Sequence, residues 1–484
     1  MRPNRFGASP APVTWGIYLC LMLPWLSPWA PSPLANTVPL LLSWACIGLL
    51  LIVSPQLRTP DVARAWAVAA LISSVIGLIQ YFGHAAQFSP WLHVPPYPGE
   101  AMGNLRQRNQ LATHLGIGVL AVLYWQMHGL KNRHALWMLA LLATGNAATG
   151  SRTGLLHMLL IVALSAAWSW RQHRAPHFRG ERWPWRLASM ALAVYLLATW
   201  ALPALLAQAS GQDVAGVLGR MGQHEGCGSR RVLWSNVLHL IGQKPWTGWG
   251  WGELKYAHYM ADYPGERFCD ILGNAHNLPL HLAFSLGVPL AAIIVLVALI
   301  GLIWLRPWAS HFAHHQLAWS VLALIGLHSL LEFPLWYGPF QMATLLSLGM
   351  LLRRQHDARL HSTLAMRYLG LLILVGVTWV SVDYLRARQI YLNPSERLAW
   401  WRSNPLGAAQ SSWFFSQSAT FAQLSLTPVT PQNAEWVLQT SQAMLHHSPE
   451  PRVIRALIDS ARLLGQHPLA DEHQQRLQRA YRGL

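Results

Sequence analysis

The sequence predicts an all-α polytopic membrane protein with about eleven transmembrane helices, a long periplasmic loop and a helical periplasmic C-terminal tail. Two properties of the 484 residues lead to this class. Only 11% of the residues are charged, whereas a soluble protein of this size carries about a quarter. Apolar runs of roughly 20 residues, each long enough to cross the hydrocarbon core of a bilayer, recur along most of the chain.

Short polar or basic connections separate the candidate spans. The first span follows a basic N-terminus that resembles a signal peptide, but no small-residue cleavage site follows it, and we expect an uncleaved first span. The predicted spans are about 12–30, 38–54, 63–83, 110–127, 134–149, 153–170, 187–209, 278–305, 317–332, 336–352 and 365–384.

The net charge of +17 is compatible with nucleic-acid binding. The basic residues, however, are concentrated in alternate connections between the predicted spans, as in a membrane protein. With a cytoplasmic N-terminus, the short outward loops hold only Arg106, Arg108 and Arg152. This asymmetry fixes the orientation by the positive-inside rule and argues against a nucleic-acid partner. The sixteen basic residues of the inward segments are Arg2, Arg5, Arg58, Arg64, Lys131, Arg133, Arg171, Arg174, Arg179, Arg182, Arg186, Arg306, Arg353, Arg354, Arg359 and Arg367.

Two polar segments interrupt the apolar pattern, and with eleven spans both lie outside, in the periplasm of a bacterial inner-membrane protein. They divide the chain into N-terminal spans (1–209), a large loop (210–277), later spans (278–385) and a C-terminal region (386–484). Apolar residues at helical spacing within 434–445 and 453–464 predict a small helical appendage in the last region. A docking or stabilising role is favoured for it over a catalytic one.

The cysteines fall into two pairs. Cys20 and Cys46 lie in apolar spans and are expected to be buried thiols. Cys227 and Cys269 lie in the outward loop, in an oxidising compartment, and are therefore candidates for a disulfide. The outward face shows neither zinc-type spacing nor an acidic metal-ligand pattern, so we expect metal-independent chemistry without a cofactor.

Polar side chains collect at the outward ends of the spans, where they usually face a cavity because exposure to lipid is costly. They lie in residues 103–110, 150–153, 229–234, 244–250, 273–277 and 328–337. Five arginines in these segments offer planar donors suited to phosphate oxygens: Arg106, Arg108, Arg152, Arg230 and Arg231. Arg152 opens a predicted helix, whose N-terminus favours an anion. A salt bridge or lipid headgroup contact is the structural alternative for each arginine.

His276 is the candidate general base, since a histidine can take a proton from a hydroxyl near neutral pH. A diphosphate leaving group would need charge neutralisation, which the arginines supply. His276 also has a structural reading, as an ordinary loop histidine. His328 and Glu332, four residues apart, are expected to face each other on one helix. Trp246, Trp249 and Trp251 fit an interfacial aromatic belt as well as a sugar-stacking platform.

The order of these motifs resembles the O-antigen ligase and polymerase superfamily. The motifs are Asn-Leu-x-Gln-x-Asn at 104–109, Ser-Arg-Thr at 151–153, Ser-Arg-Arg-x-x-Trp and Pro-x-x-Gly-x-Gly in the loop, and Asn-Ala-His-Asn at 274–277. Within the superfamily the chain looks most like the bacterial protein O-oligosaccharyltransferases of the PglL type. That closer resemblance depends on Leu-Glu-Phe-Pro-Leu-Trp-Tyr at 331–337 and on the soluble extension after the last span.

The resemblance implies transfer of an oligosaccharide from undecaprenyl diphosphate to a Ser or Thr of a periplasmic protein such as a type IV pilin. It implies that His276 is the essential loop histidine and that Gln107 is the glutamine of the first motif. Arg152 and Arg230 fall at donor-phosphate arginines of the superfamily, and Tyr337 at an acceptor-binding aromatic. Relatives with Leu-Glu-Tyr-Pro have a tyrosine where this chain has Phe333, so the choice between these aromatic residues stays open.

Two alternatives remain at this stage. An O-antigen ligase acting on lipid A core, or a Wzy-type polymerase, shares the donor and the mechanism. A transporter of polyprenyl-linked sugars would explain the spans and the basic residues, but it would distribute polar groups through the membrane midplane rather than on one face.

Overall fold

The computed structural model describes residues 12–31, 33–53, 57–174, 182–211, 226–352 and 364–481. Within these ranges the regular structure is helical, without strands. The α-helices of these ranges are α1 Pro12–Leu26, α2 Thr37–Ile52, α3 Thr59–Tyr81, α4 Arg108–Met127, α5 Asn132–Ala148, α6 Arg152–Arg174, α7 Trp185–Ser210, α8 Arg230–Gln243, α9 Leu254–Met260, α10 Leu278–Leu286, α11 Val288–Leu305, α12 Ala313–Ser329, α13 Gly338–Leu351, α14 Leu364–Arg388, α15 Pro405–Gln410, α16 Ser416–Leu426, α17 Ala434–His447, α18 Pro451–Leu463 and α19 His467–Ala480.

Among the described residues, five helices are long and apolar enough to cross a membrane, judged by length and composition: α3, α6, α7, α14 and α11 with the turn after it. Helices α1 and α2 are apolar but shorter. The chain is therefore a helical multi-pass membrane protein, and the count of eleven spans stays a prediction. Helix α4 is buried along nearly its whole length, against α3, α5, α6 and α12. A helix shielded by its neighbours in this way can carry polar residues that a lipid-facing helix could not.

The predicted span 278–305 is divided in two at Gly287, which separates α10 from α11. Gly287 has φ +84°, and a Cβ there would collide with the carbonyl oxygen of Trp246. Only glycine combines this backbone conformation with so close an approach. The N–H of Val288 then donates to the carbonyl of Pro245 at 2.8 Å, so the large loop is fixed against the break.

Hydrogen bonds join the helix ends at one face of the bundle. Asn104, before α4, donates to the carbonyl of Leu26 at 2.6 Å, and the Tyr384 hydroxyl of α14 donates to the carbonyl of Pro31 at 2.9 Å. The connections that the charge pattern predicts to be outward therefore lie together.

Of the sixteen inward basic residues, those outside the described residues are Arg2, Arg5, Arg179, Arg353, Arg354 and Arg359.

The described part of the large loop has its own apolar core around α8 and α9. The structure joins Cys227 to Cys269 in a disulfide, with a Cα–Cα distance of 5.4 Å and a sequence separation of 42. Closing a loop of this length stabilises the folded state by about 4 kcal/mol in the chain-entropy picture. His258 of α9 is buried beside the disulfide segment, with Nδ1 at 2.8 Å from the Tyr263 hydroxyl. Burial, assisted by the charge of Arg267, lowers the pKa of His258 to about 3.

The C-terminal helices α16 to α19 form a small helical unit that is docked on the loop. Tyr259 of α9 is buried in the apolar core of this unit, among residues such as Val437 and Leu457. Its hydroxyl lies 2.9 Å from Nδ1 of His473. The loop and the tail therefore share one core, and the docking contact is built by the loop helix that lies next to the candidate site segments.

Candidate active site

A cavity of about 390 Å³, called here the site cavity, opens where helices α4, α6, α8 and α10 begin. Arg108, Arg152 and Arg230 are the first residues of α4, α6 and α8, and His276 comes just before α10. Helix N-termini carry partial positive charge, so the cavity combines guanidinium groups with helix ends that favour an anion. Its described wall residues are Glu100, Gln107, Arg108, Asn109, Gly150, Arg152, Thr153, Gly228, Arg230, Leu233, Phe268, His276 and Glu332.

Capping side chains explain why the chain enters the cavity at these points. The side-chain oxygens of Gln107 and Asn277 accept from the backbone N–H three residues later, at 2.7 and 3.1 Å. Ser229 caps α8 in the same way at 3.3 Å. Each cap satisfies an N–H that the helix itself leaves unpaired. Gln107 is thus both a helix cap and a wall residue, and its amide group is a donor at the cavity.

Glu332 lies at the centre of the polar contacts. Its Oε2 is 2.6 Å from Nδ1 of His276, and its Oε1 accepts from Arg230 at 2.9 Å and from Asn109 at 3.1 Å. The side chain is 13% exposed, and a carboxylate so buried is stable as an anion only when it is paired. Arg230 supplies the positive charge for this pairing, and His276 and Asn109 supply further hydrogen bonds.

The contact with Glu332 sets the hydrogen positions of His276. A carboxylate oxygen only accepts, so Nδ1 carries the hydrogen and Nε2 of the neutral ring is left as an acceptor. The backbone of His276 is held in the left-handed region at φ +50°, and its N–H donates to Oδ1 of Asn274 at 2.9 Å. Trp234 of α8 donates to the carbonyl of Ala275 at 3.1 Å. The imidazole is therefore positioned by its own loop and by the carboxylate.

Asn109 connects this centre to the Ser-Arg-Thr segment. Its Oδ1 accepts from the Ser151 hydroxyl at 2.6 Å, while its amide donates to Glu332. Its backbone carbonyl accepts from the Thr113 hydroxyl at 2.9 Å, and that hydroxyl lies 2.8 Å from Nδ1 of His328. The start of α4, the α5–α6 connection and the α12–α13 connection are in this way held in one network.

The expectation that His328 and Glu332 face each other on one helix is wrong. Helix α12 ends at Ser329, five residues before Pro334, and the Glu332 side chain turns to His276 rather than to His328. Proline disfavours helical backbone in the residue before it, so the helix cannot continue through this segment. The backbone N–H of Glu332 still donates to the carbonyl of His328 at 2.8 Å.

The five predicted phosphate-binding arginines are divided by the structure. Arg108, Arg152 and Arg230 line the cavity, and Arg108 is paired with Glu100 at 3.4 Å. Arg106 instead donates to the backbone carbonyl of Pro28 at 2.7 Å and so anchors the α1–α2 connection.

Arg231 follows Arg230 on α8 but is exposed and is not among the described wall residues. The phosphate-binding roles of Arg106 and Arg231 therefore stay predictions that their positions do not favour.

The predicted aromatic residues also separate. Tyr337 is not among the described wall residues and packs on Phe333, with ring centroids 5.8 Å apart. Trp249 is partly buried in the loop core and donates to the carbonyl of Leu240 at 2.8 Å. Trp246 and Trp251 are exposed. The role of Tyr337 in acceptor binding stays a prediction.

Sequence reasoning missed Glu332 and Asn109 as site residues. An acidic residue at the end of an apolar span was the available signal for Glu332. Asn109 closes the first motif, and its position just before the predicted span 110–127 gave no indication that it bridges two other segments.

Comparison with known families places these features in context. A family model described as "O-Antigen ligase" matches residues 137–295, and one described as "Virulence factor membrane-bound polymerase, C-terminal" matches residues 316–483. A third, "Protein glycosylation ligase", matches residues 101–125. Each of the three matched regions contains part of the cavity wall.

A general O-oligosaccharyltransferase of Acinetobacter baylyi is 26% identical over 296 residues, which are 60% of this chain and 50% of that relative. The chain thus spans about half the length of the curated relative it matches.

Proposed function

We infer that this chain transfers an oligosaccharide en bloc from undecaprenyl diphosphate to Ser or Thr hydroxyls of periplasmic proteins. The chain belongs to the O-antigen ligase and polymerase superfamily and resembles its PglL type. The observation that carries this proposal is the pairing of His276 with Glu332 in a cavity whose wall also holds Arg108, Arg152 and Arg230. A proton acceptor and a set of phosphate-binding groups lie within one cavity, as glycosyl transfer from a diphosphate requires.

In the proposed reaction the acceptor hydroxyl gives its proton to Nε2 of His276 while its oxygen forms a bond to C1 of the first sugar. The bond from C1 to the phosphate oxygen breaks, and undecaprenyl diphosphate leaves with the electron pair. Glu332 keeps the hydrogen on Nδ1 before the step and stabilises the imidazolium after it. A single displacement of this kind inverts the configuration at C1.

The arginines neutralise the charge that grows on the leaving diphosphate. Arg108, Arg152 and Arg230 are all placed to do so, because each is the first residue of a helix that begins at the cavity. Gln107 adds an amide donor on the same wall, and Arg108 remains paired with Glu100. Protein groups alone supply this neutralisation in the proposal, without a metal ion or cofactor.

The proposed setting is the bacterial inner membrane, with the N-terminus in the cytoplasm and the site on the periplasmic face. The proposed partners are the lipid-linked oligosaccharide, membrane lipids and a pilin-like acceptor protein, with Tyr337 near the acceptor. The proposed division of the chain is 1–209 and 278–385 in the membrane, with 210–277 and 386–484 in the periplasm. The clustering of polar wall residues at one end of the helices supports this setting over that of a transporter.

A glycosylation assay tests the proposal in a host that supplies one lipid-linked glycan, a candidate pilin and a lipid A core acceptor. His276→Ala should abolish transfer to the pilin and leave binding of the donor within a few-fold of the wild type. His239→Ala is the matched control, because it removes a partly exposed histidine of α8 that contacts Gln243 and is not among the described wall residues. Glycan on lipid A core alone would assign the chain to the O-antigen ligases, and loss of donor binding equal to the loss of turnover would exclude His276 as the base.

A further inference from the structure

A row of aromatic rings leads away from His276 toward the surface. The Phe333 ring meets the His276 ring edge-on, with centroids 5.0 Å apart, and Trp336 follows at 6.4 Å from Phe333. Trp251 lies parallel to Trp336, with centroids 5.8 Å apart and an interplanar angle of 4°. Phe333, Trp336 and Trp251 are called the aromatic row below. Its inner end touches the proposed base, and its outer end is the exposed ring of Trp251.

The row is built from separate segments and held rigidly. Trp251 comes from the large loop and stands between Gly250 and Gly252, whose φ angles of +103° and +87° form a turn that presents the ring. Trp336 comes from the α12–α13 connection. The buried His281 of α10 meets both tryptophan rings edge-on, at 5.5 and 5.4 Å. Three parts of the fold therefore hold the row in place. Trp251, at its outer end, is 60% exposed.

We propose that the aromatic row binds the sugars of the donor oligosaccharide that lie beyond the first sugar, a proposal that rests on the function proposed above. The first sugar must lie between His276 and the arginines, because its C1 is the atom attacked. The row begins beside His276 and runs to the exposed ring of Trp251, so it offers the next sugars a path away from the reacting carbon. Sugar rings present a face of C–H groups that packs on the electron-rich face of an aromatic ring, while their hydroxyls stay in water.

A neighbouring cavity differs in chemical character from the aromatic row and suits a polypeptide better. Phe268, a wall residue of the site cavity, also lines a neighbouring cavity of about 650 Å³ between the loop and the C-terminal helices. That neighbouring cavity is lined by charged side chains, among them Asp262, Glu266 and Arg479. Backbone and side-chain hydrogen bonding of an acceptor protein fits such a surface, whereas the aromatic row offers few polar partners.

Trp246 provides the matched control for the row. It comes from the same loop as Trp251, is 79% exposed, and fits an interfacial membrane anchor. Trp251 differs because one of its faces is engaged by Trp336. Replacing either residue with leucine keeps an apolar side chain that can contact lipid but removes the aromatic face.

The experiment compares Trp251→Leu, Trp251→Phe and Trp246→Leu in the purified full-length protein with two donors that share the same first sugar. One donor is undecaprenyl diphosphate with a single N-acetylhexosamine, and the other carries an oligosaccharide of at least three sugars. Trp251→Leu should raise the KM for the oligosaccharide donor about three- to tenfold, the range expected for one lost aromatic stacking contact. It should leave the KM for the monosaccharide donor unchanged, Trp251→Phe should recover part of the loss, and Trp246→Leu should match the wild type.

Equal weakening of both donors, or an equal effect of Trp246→Leu, would overturn the proposal in favour of a membrane anchor. A raised KM for the acceptor protein with an unchanged KM for the donor would assign the row to the polypeptide instead. If the wild type transferred neither glycan, the proposed function itself would fail. The row would then be tested by saturation-transfer NMR with the free oligosaccharide, and a signal that persisted in Trp251→Leu would overturn the glycan-binding role.

Discussion

The substitution Glu332→Gln tests the hydrogen positions at the proposed base, because the partners around Glu332 are all donors. His276 uses one carboxylate oxygen, while Arg230 and Asn109 share the other. Glutamine offers one acceptor oxygen and one donor amide, so it cannot satisfy both sides. If the amide oxygen stays with Arg230 and Asn109, the amide N–H₂ faces Nδ1 of His276 and the ring must adopt the opposite tautomer. Nε2 then carries a hydrogen and can no longer accept a proton.

The expected loss follows from this geometry. Hydrogen bonds to charged groups are worth about 1.5–3 kcal/mol each, and a wrong histidine tautomer in the Ser-His-Asp proteases lowers kcat about 10⁴-fold. We expect Glu332→Gln to lower kcat by about 10²- to 10⁴-fold. The KM for the donor should stay within about threefold, since the amide oxygen of glutamine can still accept from Arg230 and Asn109.

The assay is steady-state transfer to an acceptor protein by the purified enzyme, with one lipid-linked oligosaccharide as the varied donor. Glu100→Gln is the control, since Glu100 is a carboxylate of the same cavity that pairs with Arg108. It should change kcat less than tenfold. A Glu332→Gln enzyme with wild-type thermal stability and a kcat within tenfold of the wild type would refute the positioning role of Glu332.

Further predictions concern the arginines, the disulfide and acid stability. Arg230→Ala should raise the KM for the donor at least tenfold, while Arg231→Ala, one residue away and outside the described wall, should change it less than twofold. Cys227→Ser should cost about 4 kcal/mol of stability in the loop, seen as a lower Tm in detergent, and a reductant should lower the Tm of the wild type but not of the variant. The pKa of His258 is lowered to about 3 in the folded protein from about 6.5 in the unfolded chain. Its contribution to the free energy of unfolding is therefore complete above pH 6.5. As the pH falls below that value the unfolded state binds the proton first, and stability falls by up to about 1.4 kcal/mol per pH unit until the folded pKa is reached. His258→Gln should flatten the fall in Tm between pH 7 and pH 5, and an unchanged slope would contradict the assignment.

The sequence indicated which segments meet, because polar residues beside apolar spans avoid lipid and therefore collect around a shared cavity. Gln107, Arg152, Arg230 and His276 come from four predicted polar segments at the outward ends of the spans, and all four lie on the wall of one cavity. The apolar runs likewise placed the helices of the predicted spans, since each run coincides with one helix or, around Gly287, with two. The break at Gly287 depends on a close approach of the Trp246 carbonyl, which periodicity does not encode.

The contacts that organise the site were beyond sequence reasoning for a physical reason. Asn109 and Glu332 are 223 residues apart, and Arg230 and Glu332 are 102 apart. Such pairs form only after the helices have packed, so local patterns say nothing about them. Adjacent side chains diverge for the same reason. Arg230 and Arg231 are separated by about 100° around α8, and the rotation of α8 in the fold decides which of them reaches the cavity.

The same construction explains why anion binding and proton transfer should respond differently to mutation. A diphosphate in the site cavity would be held by several guanidinium groups and by the N-termini of helices α4, α6, α8 and α10, so the loss of one group leaves others in place. The proton acceptor has no such redundancy among the described wall residues, because the tautomer of His276 depends on the single contact with Glu332. Substitutions among the arginines should therefore act mainly on KM, and substitutions at His276 or Glu332 mainly on kcat. If the arginine variants lost kcat as severely as the Glu332 variant, this separation would be wrong. Charge neutralisation and proton transfer would then depend on the same residues in one coupled step.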